Sequence, residues 1–289
     1  MKIISGFGSN YPEDPVKYFD FDKLNNINFY YGLQHHEPEP GRYNIILDLE
    51  MPQFHDGRID HYNKFDKVLC LCPYNCELIN RKNNFNKWIP VFFPTNTQYS
   101  FPNEIKTHNV CYFGLTRNPI ITDMTKIADP HGLVTGRYGG IPHEKITHQN
   151  LNYYDKMKLI ASSKINLIHN TLYLPTTCFP DVIISKYYDC EAYKYLETDN
   201  YYPQLKSRGF EAAFNKSLML VLKDRFNVFE KWFEPEKEFI YFTIETLDEQ
   251  LKEILSNYNN YQHVIDRAYD KAINNYTTQH FIEKYVNTR

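Results

Sequence analysis

No apolar run in the 289-residue sequence reaches the roughly 18 residues that a membrane-spanning helix requires. The first residues, Met-Lys-Ile-Ile-Ser-Gly-Phe-Gly, contain one lysine and few apolar side chains before polar sequence begins, which is too short for the core of a signal peptide. We therefore expect a cytoplasmic protein without a transmembrane segment.

The sequence also lacks a strong charge of either sign. Its formal net charge is −3, so no overall field would gather nucleic acid or an anionic membrane. We expect no nucleic-acid partner. Any anion that the protein binds must be held by a local cluster of basic side chains.

Cysteine is scarce, and its spacing does not suggest a disulfide framework. Six cysteines without a secretion signal are typical of free thiols. The close trio Cys70, Cys72 and Cys76 lacks the second ligand pair of a zinc site, so we interpret it as small buried side chains and predict no metal site. The cysteines are Cys70, Cys72, Cys76, Cys111, Cys178 and Cys190.

The sequence does contain many short apolar runs that alternate with helical or loop segments. With 42% hydrophobic residues, the chain can build real cores, and its length suits two domains. Continuous apolar strands of this kind favour an α/β fold with parallel sheets covered on both faces. The predicted strands cover residues 2–5, 43–50, 67–71, 88–94, 108–113, 132–136, 164–169, 217–222 and 238–242.

Helical signals lie between these runs. One predicted helix opens near Pro119, two cover residues 154–162 and 209–214, and Thr246 begins a capping box with Glu249. The polar, proline-bearing stretch 95–103 has no periodicity, and it is the predicted linker.

One group of motifs lies in the second half of the chain. Residues 208–213 read Arg-Gly-Phe-Glu-Ala-Ala and precede the apolar run 218–222, then Asp224, then the turn Trp-Phe-Glu-Pro-Glu-Lys-Glu at 232–238. With a strand and glycine turn upstream, residues 108–285 resemble the C-terminal half of GT-B-fold glycosyltransferases of the glycosyltransferase 1 and CgeB-like group.

The resemblance implies two Rossmann-like domains that face a cleft. Residues 1–100 would form a small, irregular acceptor-side domain, and 108–276 a nucleotide-sugar-binding domain. A C-terminal helix at about 277–289 would pack back on the first domain. The implied reaction, of the EC 2.4 class, moves a sugar from a nucleotide-diphosphate sugar to a hydroxyl of a glycan or related acceptor. The donor is a substrate, and no cofactor is implied.

The same resemblance suggests donor-binding residues, and elementary chemistry supports them. The Arg208 fork can hold two phosphate oxygens, and Lys206 acts as a point charge beside the start of a helix at Gly209. Glu211 would accept hydrogen bonds from ribose or sugar hydroxyls. Alternatively, Arg208 and Glu211 pair on a helix surface. The donor-binding set is Gly114, Arg117, Lys206, Arg208, Gly209, Phe210 and Glu211.

Stereochemistry and the general base depend on other positions. Retaining relatives carry a glutamate where this chain has Pro203, so we expect inverting transfer with a base from the first domain. The resemblance also implies metal-independent transfer, because such enzymes use basic side chains and a helix start in place of a metal. Asp48 and Glu50 are favoured because they follow a strand, where α/β clefts open. Weaker candidates are His35, His36 and His55 for the base, and Asn166 and His169 for nucleotide contact.

Two other functions remain open. A GT-A-like enzyme would use Asp48 and Glu50 to hold Mn²⁺ or Mg²⁺ on the diphosphate. A non-catalytic relative would bind sugar without transferring it.

Overall fold

The computed structural model describes residues 2–5, 27–31, 37–48, 60–84, 86–114, 119–136, 146–173 and 201–287. The strands in these ranges are β1 (Lys2–Ser5), β2 (Ile27–Tyr31), β3 (Tyr43–Asp48), β4 (Lys67–Cys70), β5 (Trp88–Pro90), β6 (His108–Phe113), β7 (Leu133–Gly136), β8 (Ser163–Ile168), β9 (Thr171–Tyr173), β10 (Tyr201–Pro203), β11 (Leu218–Leu222) and β12 (Ile240–Phe242). The α-helices are α1 (Pro73–Asn83), α2 (Pro119–Ala128), α3 (Tyr153–Ala161), α4 (Arg208–Phe214), α5 (Leu247–Ser256), α6 (Gln262–Asn275) and α7 (Thr278–Phe281), and α7 continues into a π-turn at Ile282–Val286.

The first sheet has five parallel strands in chain order, β1-β2-β3-β4-β5. Sequence analysis missed β2, because the polar Asn28 interrupts its apolar run. The Asn28 side chain is buried, and its Nδ2 donates to Asn44 Oδ1 (3.3 Å) and Glu39 Oε2 (3.0 Å). Helix α1 joins β4 to β5, with Pro73 in its first turn and Asn84 in the left-handed conformation at its end.

The second sheet is also parallel throughout, but its order is β12-β11-β8-β6-β7. The first of its strands along the chain, β6, lies inside the sheet. The chain runs outward from β6 to β7 on one side, and then to β8, β11 and β12 on the other. The direction of winding therefore reverses between β6 and β8, which is where open α/β sheets form a crevice at their carboxyl ends. The mixed α/β fold with parallel sheets is confirmed.

The aromatic ring of Phe92, just after β5, joins the two halves of the chain. Its centroid lies 6.5 Å from that of Phe210, 5.0 Å from that of Tyr276 and 5.7 Å from that of Phe281. Farther along, Lys67 Nζ donates to the Tyr285 carbonyl (2.9 Å). The C-terminal segment therefore contacts the first sheet, while the domain boundaries themselves stay a prediction.

The predicted linker is tied to the second half of the chain. The Thr95 backbone N–H donates to the Tyr276 carbonyl (3.2 Å), and the Phe101 N–H donates to Asn215 Oδ1 (2.7 Å). These bonds hold the stretch in place without a long regular element.

The predicted capping box is wrong, although α5 begins where expected. Thr246 already has a right-handed helical backbone (φ −97°, ψ −11°), whereas a capping residue needs an extended one. Its hydroxyl oxygen instead accepts from the Thr243 backbone N–H (3.0 Å). The hydroxyl is therefore used in the preceding turn.

Four of the six cysteines lie in the described ranges, and all four are free and buried, as expected. Burial raises the pKa of the Cys111 thiol to about 12, which keeps it protonated. Cys178 and Cys190 lie outside the described residues. Within those ranges, no cluster of three His, Cys, Asp or Glu side chains is arranged to ligate a metal ion. No helix there has the length and apolarity of a membrane span.

Candidate functional site

The carboxyl end of strand β6 lies against the side chain of Arg208. Gly114, the next residue, has φ +146°, and a Cβ built on it would lie 2.1 Å from Arg208 Nη2. A side chain at position 114 would therefore displace the guanidinium. The glycine lets Arg208, the first residue of α4, reach the carboxyl end of β6.

His169, which follows β8, holds the same guanidinium. Its Nδ1 lies 2.9 Å from the Thr171 carbonyl, and because a carbonyl oxygen can only accept, Nδ1 carries the hydrogen. Its Nε2 then accepts from Arg208 Nη1 (3.1 Å) and from the Tyr112 hydroxyl (3.2 Å). The two strand ends on either side of the sheet reversal are thus joined through one imidazole.

This imidazole is neutral. Burial first, and then the positive charges of Arg208 and Lys206, hold the pKa of His169 well below its usual range. Burial also raises the pKa of Tyr112, which keeps its hydroxyl a donor. Arg208 has no carboxylate partner in the described ranges, so its positive charge is not compensated there.

Asn170 connects this cluster to Lys206. Its Oδ1 accepts from the Lys206 backbone N–H (3.0 Å), and its carbonyl accepts from the Gln204 N–H (2.7 Å). The Lys206 ammonium donates to the Gln204 side chain. The backbone that enters α4 is therefore fixed to the end of β8.

Three buried polar atoms beside these residues have no hydrogen-bond partner in the described part of the chain. They are Asn170 Nδ2, Thr171 Oγ1 and Glu211 Oε2. An unpartnered buried group costs about 1–3 kcal/mol, and native proteins rarely retain one without a reason. One donor, one hydroxyl and one carboxylate oxygen therefore remain unsatisfied among the described residues.

Glu211 forms a buried ion pair with Lys156. Its Oε1 lies 2.7 Å from Lys156 Nζ, and the two side chains are only 1% and 4% exposed. The Lys156 ammonium also lies 4.6 Å from the centroid of the Phe113 ring. The alternative that Arg208 and Glu211 pair on a helix surface is therefore wrong, since each has a different partner.

The structure brings Gly114, Lys206 and Arg208 together at the reversal of the second sheet. Gly209 and Phe210 lie behind them in the core. A Cβ at Gly209 would lie 2.3 Å from the Phe229 ring, and Phe210 is fully buried. These two residues support α4 from the inside.

Other expected residues lie elsewhere. Asn166 is inside the sheet, where its Nδ2 donates to Ser217 Oγ (2.6 Å), so it joins β8 to the start of β11. Asp48 is the last residue of β3 and is paired in register with Cys70 of β4. The remaining expected residues, Glu50, Arg117, His35, His36 and His55, fall outside the described residues.

Sequence analysis missed Tyr112, Asn170 and Lys156. Lys156 had a detectable signal, because it lies on the buried stripe of α3 with Tyr153 and Ile160, where an apolar residue is the norm. A charged residue on such a stripe indicates a buried partner. Nothing local distinguishes Tyr112 or Asn170, whose importance depends on the strand order.

The family model described as Glycosyl transferase-like matches residues 120–287, which is more than half of the chain. The chain belongs to this glycosyl transferase-like family. No curated protein matches it in sequence. The family assignment confirms the broad resemblance, and the finer CgeB-like grouping stays a prediction.

Solved structures of other transferases share the fold of this family member. S. aureus TarM, in a complex with Fondaparinux, α-GlcNAc-glycerol and UDP, is 13% identical with a TM-score of 0.57, over 94% of this chain and 52% of TarM. Anabaena HepE with UDP-glucose is 9% identical with a TM-score of 0.59, over 91% of this chain and 79% of HepE. A Rickettsia africae glycosyltransferase is 9% identical with a TM-score of 0.54, over 90% and 75% of the two chains.

At these identities the comparisons establish the fold, which is that of GT-B glycosyltransferases. The family member spans about half the length of TarM.

Proposed function

We propose that the protein is a glycosyltransferase that moves a sugar from a nucleotide-diphosphate sugar to a hydroxyl of a glycan or related acceptor. The observation that carries this proposal is the Arg208 guanidinium, which has no carboxylate partner among the described residues and is held by the neutral His169 at the reversal of the second sheet. Negative charge builds on the diphosphate as it leaves, and a fixed cation at that position stabilises it. The UDP and UDP-glucose complexes of TarM and HepE support a nucleoside diphosphate as the ligand.

Each residue of the cluster has a role in this proposal. Arg208 grips two phosphate oxygens, and Lys206 adds a second positive charge. Asn170 Nδ2 donates to a further oxygen, and Glu211 Oε2 accepts from a hydroxyl of the ribose or the sugar. Helix α4 has only seven residues, so the side chains rather than the helix dipole provide most of the attraction.

We infer that the reaction does not need a metal ion. Arg208 and Lys206 supply positive charge at fixed positions, and a divalent cation would duplicate what they do. The GT-A-like alternative instead needs a metal held by Asp48 and Glu50 in the first half of the chain.

The general base, in this proposal, is Asp48 or Glu50. Asp48 ends β3 beside β4, and just beyond β4 the Cys72 thiol donates to the Pro203 carbonyl (3.5 Å). Pro203 is three residues before Lys206 in the chain. This contact supports a catalytic arrangement in which a carboxylate of the first sheet meets a donor held by the second. We propose inversion at the sugar carbon because Pro203 occupies the position of a glutamate in retaining relatives.

A binding and transfer experiment in EDTA tests the proposal. Calorimetry with UDP, GDP and ADP should detect binding of at least one nucleotide, and the matching nucleotide sugar should be consumed when a suitable acceptor is added. Binding that requires Mn²⁺ would favour the GT-A-like enzyme. Binding without any transfer or donor hydrolysis would favour the non-catalytic relative, and no binding of any nucleotide would refute the proposal.

A further inference from the structure

A cavity of about 470 Å³ lies beside the C-terminal end of α6, and none of its lining residues belongs to the Arg208 cluster. Three segments of the chain form its wall: the end of a short helix before β12, the last turn of α6, and the α7 segment with its π-turn. The lining residues are Lys231, Trp232, Lys271, Asn275, Tyr276, His280, Glu283 and Lys284.

The charges of this cavity are mostly positive. Three of its lining residues are lysines and only one, Glu283, is acidic, in a protein whose overall charge is slightly negative. Lys271 already pairs with Glu238 (2.7 Å). Lys231 is exposed and has no carboxylate partner in the described ranges, so its charge is available.

A threonine–histidine pair and an indole belong to the same wall. Thr277 Oγ1 accepts from the His280 backbone N–H (3.3 Å) and lies 2.8 Å from His280 Nδ1. The buried Trp232 Nε1–H has no partner in the part of the chain described. The wall therefore holds an unsatisfied donor in addition to its lysines.

We propose that this cavity binds an anionic saccharide, whose charge is carried by a phosphate or a carboxylate. The ammonium groups attract the anion, and the ring edges of Trp232 and Tyr276 provide apolar surface for a sugar ring. The volume lies in the range of small-molecule sites and exceeds that of a lone phosphate ion. This site is separate from the proposed donor site and does not depend on it.

Calorimetry on the full chain at fixed ionic strength tests the proposal, with a hexose phosphate, a hexuronate, inorganic phosphate and a neutral hexose as probes. We expect the hexose phosphate or the hexuronate to bind more tightly than either phosphate or hexose. The double variant Lys231→Gln/Lys284→Gln should weaken that binding by on the order of tenfold or more, because it removes two charges. Lys252→Gln, an exposed lysine on α5, is the matched control and should leave the affinity unchanged.

Binding of UDP separates this site from the donor site. The double variant should bind UDP as the wild type does, and Arg208→Ala should bind the anionic saccharide as the wild type does. The proposal is wrong if neither anionic saccharide binds, if inorganic phosphate binds equally well, or if the saccharide is lost in Arg208→Ala and retained in the double variant. A failure of UDP binding alone would count against the proposed function and not against this site.

Discussion

The two parallel sheets of this protein have the same number of strands but different windings. The first runs in chain order through its described strands, so neighbouring connections continue in one direction. The second reverses between β6 and β8, and Gly114, His169 and Arg208 meet at that reversal. The difference indicates that strand order, more than strand composition, decides which sheet gathers the Arg208 cluster.

Two buried asparagines, Asn44 and Asn170, illustrate the difference between the two halves of the chain. Asn44 in the first sheet uses its whole amide, since Nδ2 donates to the Glu39 and Arg42 carbonyls (both 2.9 Å) and Oδ1 accepts from the Glu39 N–H (3.0 Å). Asn170 in the second half uses only Oδ1, and its Nδ2 has no partner in the described ranges. The amide of Asn44 is saturated by bonds within the fold, whereas that of Asn170 is only half used.

The largest expected effect tests whether the first sheet supplies the base. Asp48→Asn should lower kcat by about 10²- to 10⁴-fold, the usual contribution of a general base, and leave the affinity for nucleotide unchanged. Steady-state kinetics in EDTA together with calorimetry would measure both. A weaker nucleotide affinity in this variant would instead indicate a metal held at Asp48.

Two buried lysines, one from each half, allow a matched test of stability. Lys156→Met should lower the free energy of unfolding by about 3–5 kcal/mol, because it leaves the Glu211 carboxylate buried and unpaired. Lys67→Met should also lower it, because it removes the hydrogen bond to the Tyr285 carbonyl. Urea unfolding would compare the two. The double variant Lys156→Met/Glu211→Leu should recover most of the loss, and its failure to do so would argue against the ion pair as the cause.

The two basic side chains Arg208 and Lys206 should contribute unequally to the affinity for nucleotide. Arg208→Ala should weaken binding of the nucleoside diphosphate by about 1.5–3 kcal/mol, because it removes a charged, two-pronged contact. Lys206→Ala should weaken it less. Calorimetry with UDP and GDP would show the order, and equal affinity in the wild type and Arg208→Ala would remove the basis of the donor site.

The same substitution at the two asparagines should affect different properties, nucleotide affinity at Asn170 and stability at Asn44. Asn170→Asp keeps the acceptor for Lys206 but replaces the free donor by an anionic oxygen, so nucleotide affinity should fall by about 1–3 kcal/mol. Asn44→Asp should leave affinity unchanged and lower stability, because an oxygen would then face two carbonyls. Calorimetry and thermal unfolding measured on both variants would reveal the pattern, and a stability loss of equal size in both would contradict it.

The smallest expected effect is the pH dependence of the free energy of unfolding. Because the pKa of His169 is lowered on folding, the unfolded chain binds this proton more readily than the native one. Above a pH of about 6.5, the pKa of an unfolded histidine, this difference in proton binding does not affect stability. Below that pH the free energy of unfolding falls by at most about 1.4 kcal/mol per pH unit. Urea unfolding between pH 5 and 8 would measure the slope, which should become shallower in His169→Asn.

Sequence reasoning reached the parts of this molecule that local pattern determines. The apolar runs at 67–71 and 108–113 predicted β4 and β6, and the Arg-Gly-Phe-Glu motif identified Arg208. It could not find β2, whose Asn28 depends on a partner 16 residues away. Sequence reasoning also did not identify Lys156 as the partner of Glu211, because 55 residues separate the two in the chain. The order of strands and helices in the fold brings these pairs together, and local sequence patterns do not reveal that order.

The packing of Phe92 with Phe281 has a consequence for synthesis on the ribosome. At roughly 5–20 residues per second, the chain reaches Phe281 about 10–40 s after Phe92. During that interval the aromatic surface beside β5 lacks its final cover, and the first sheet cannot complete its core alone. We therefore expect the nascent first half to need protection from aggregation until the C-terminal segment has emerged.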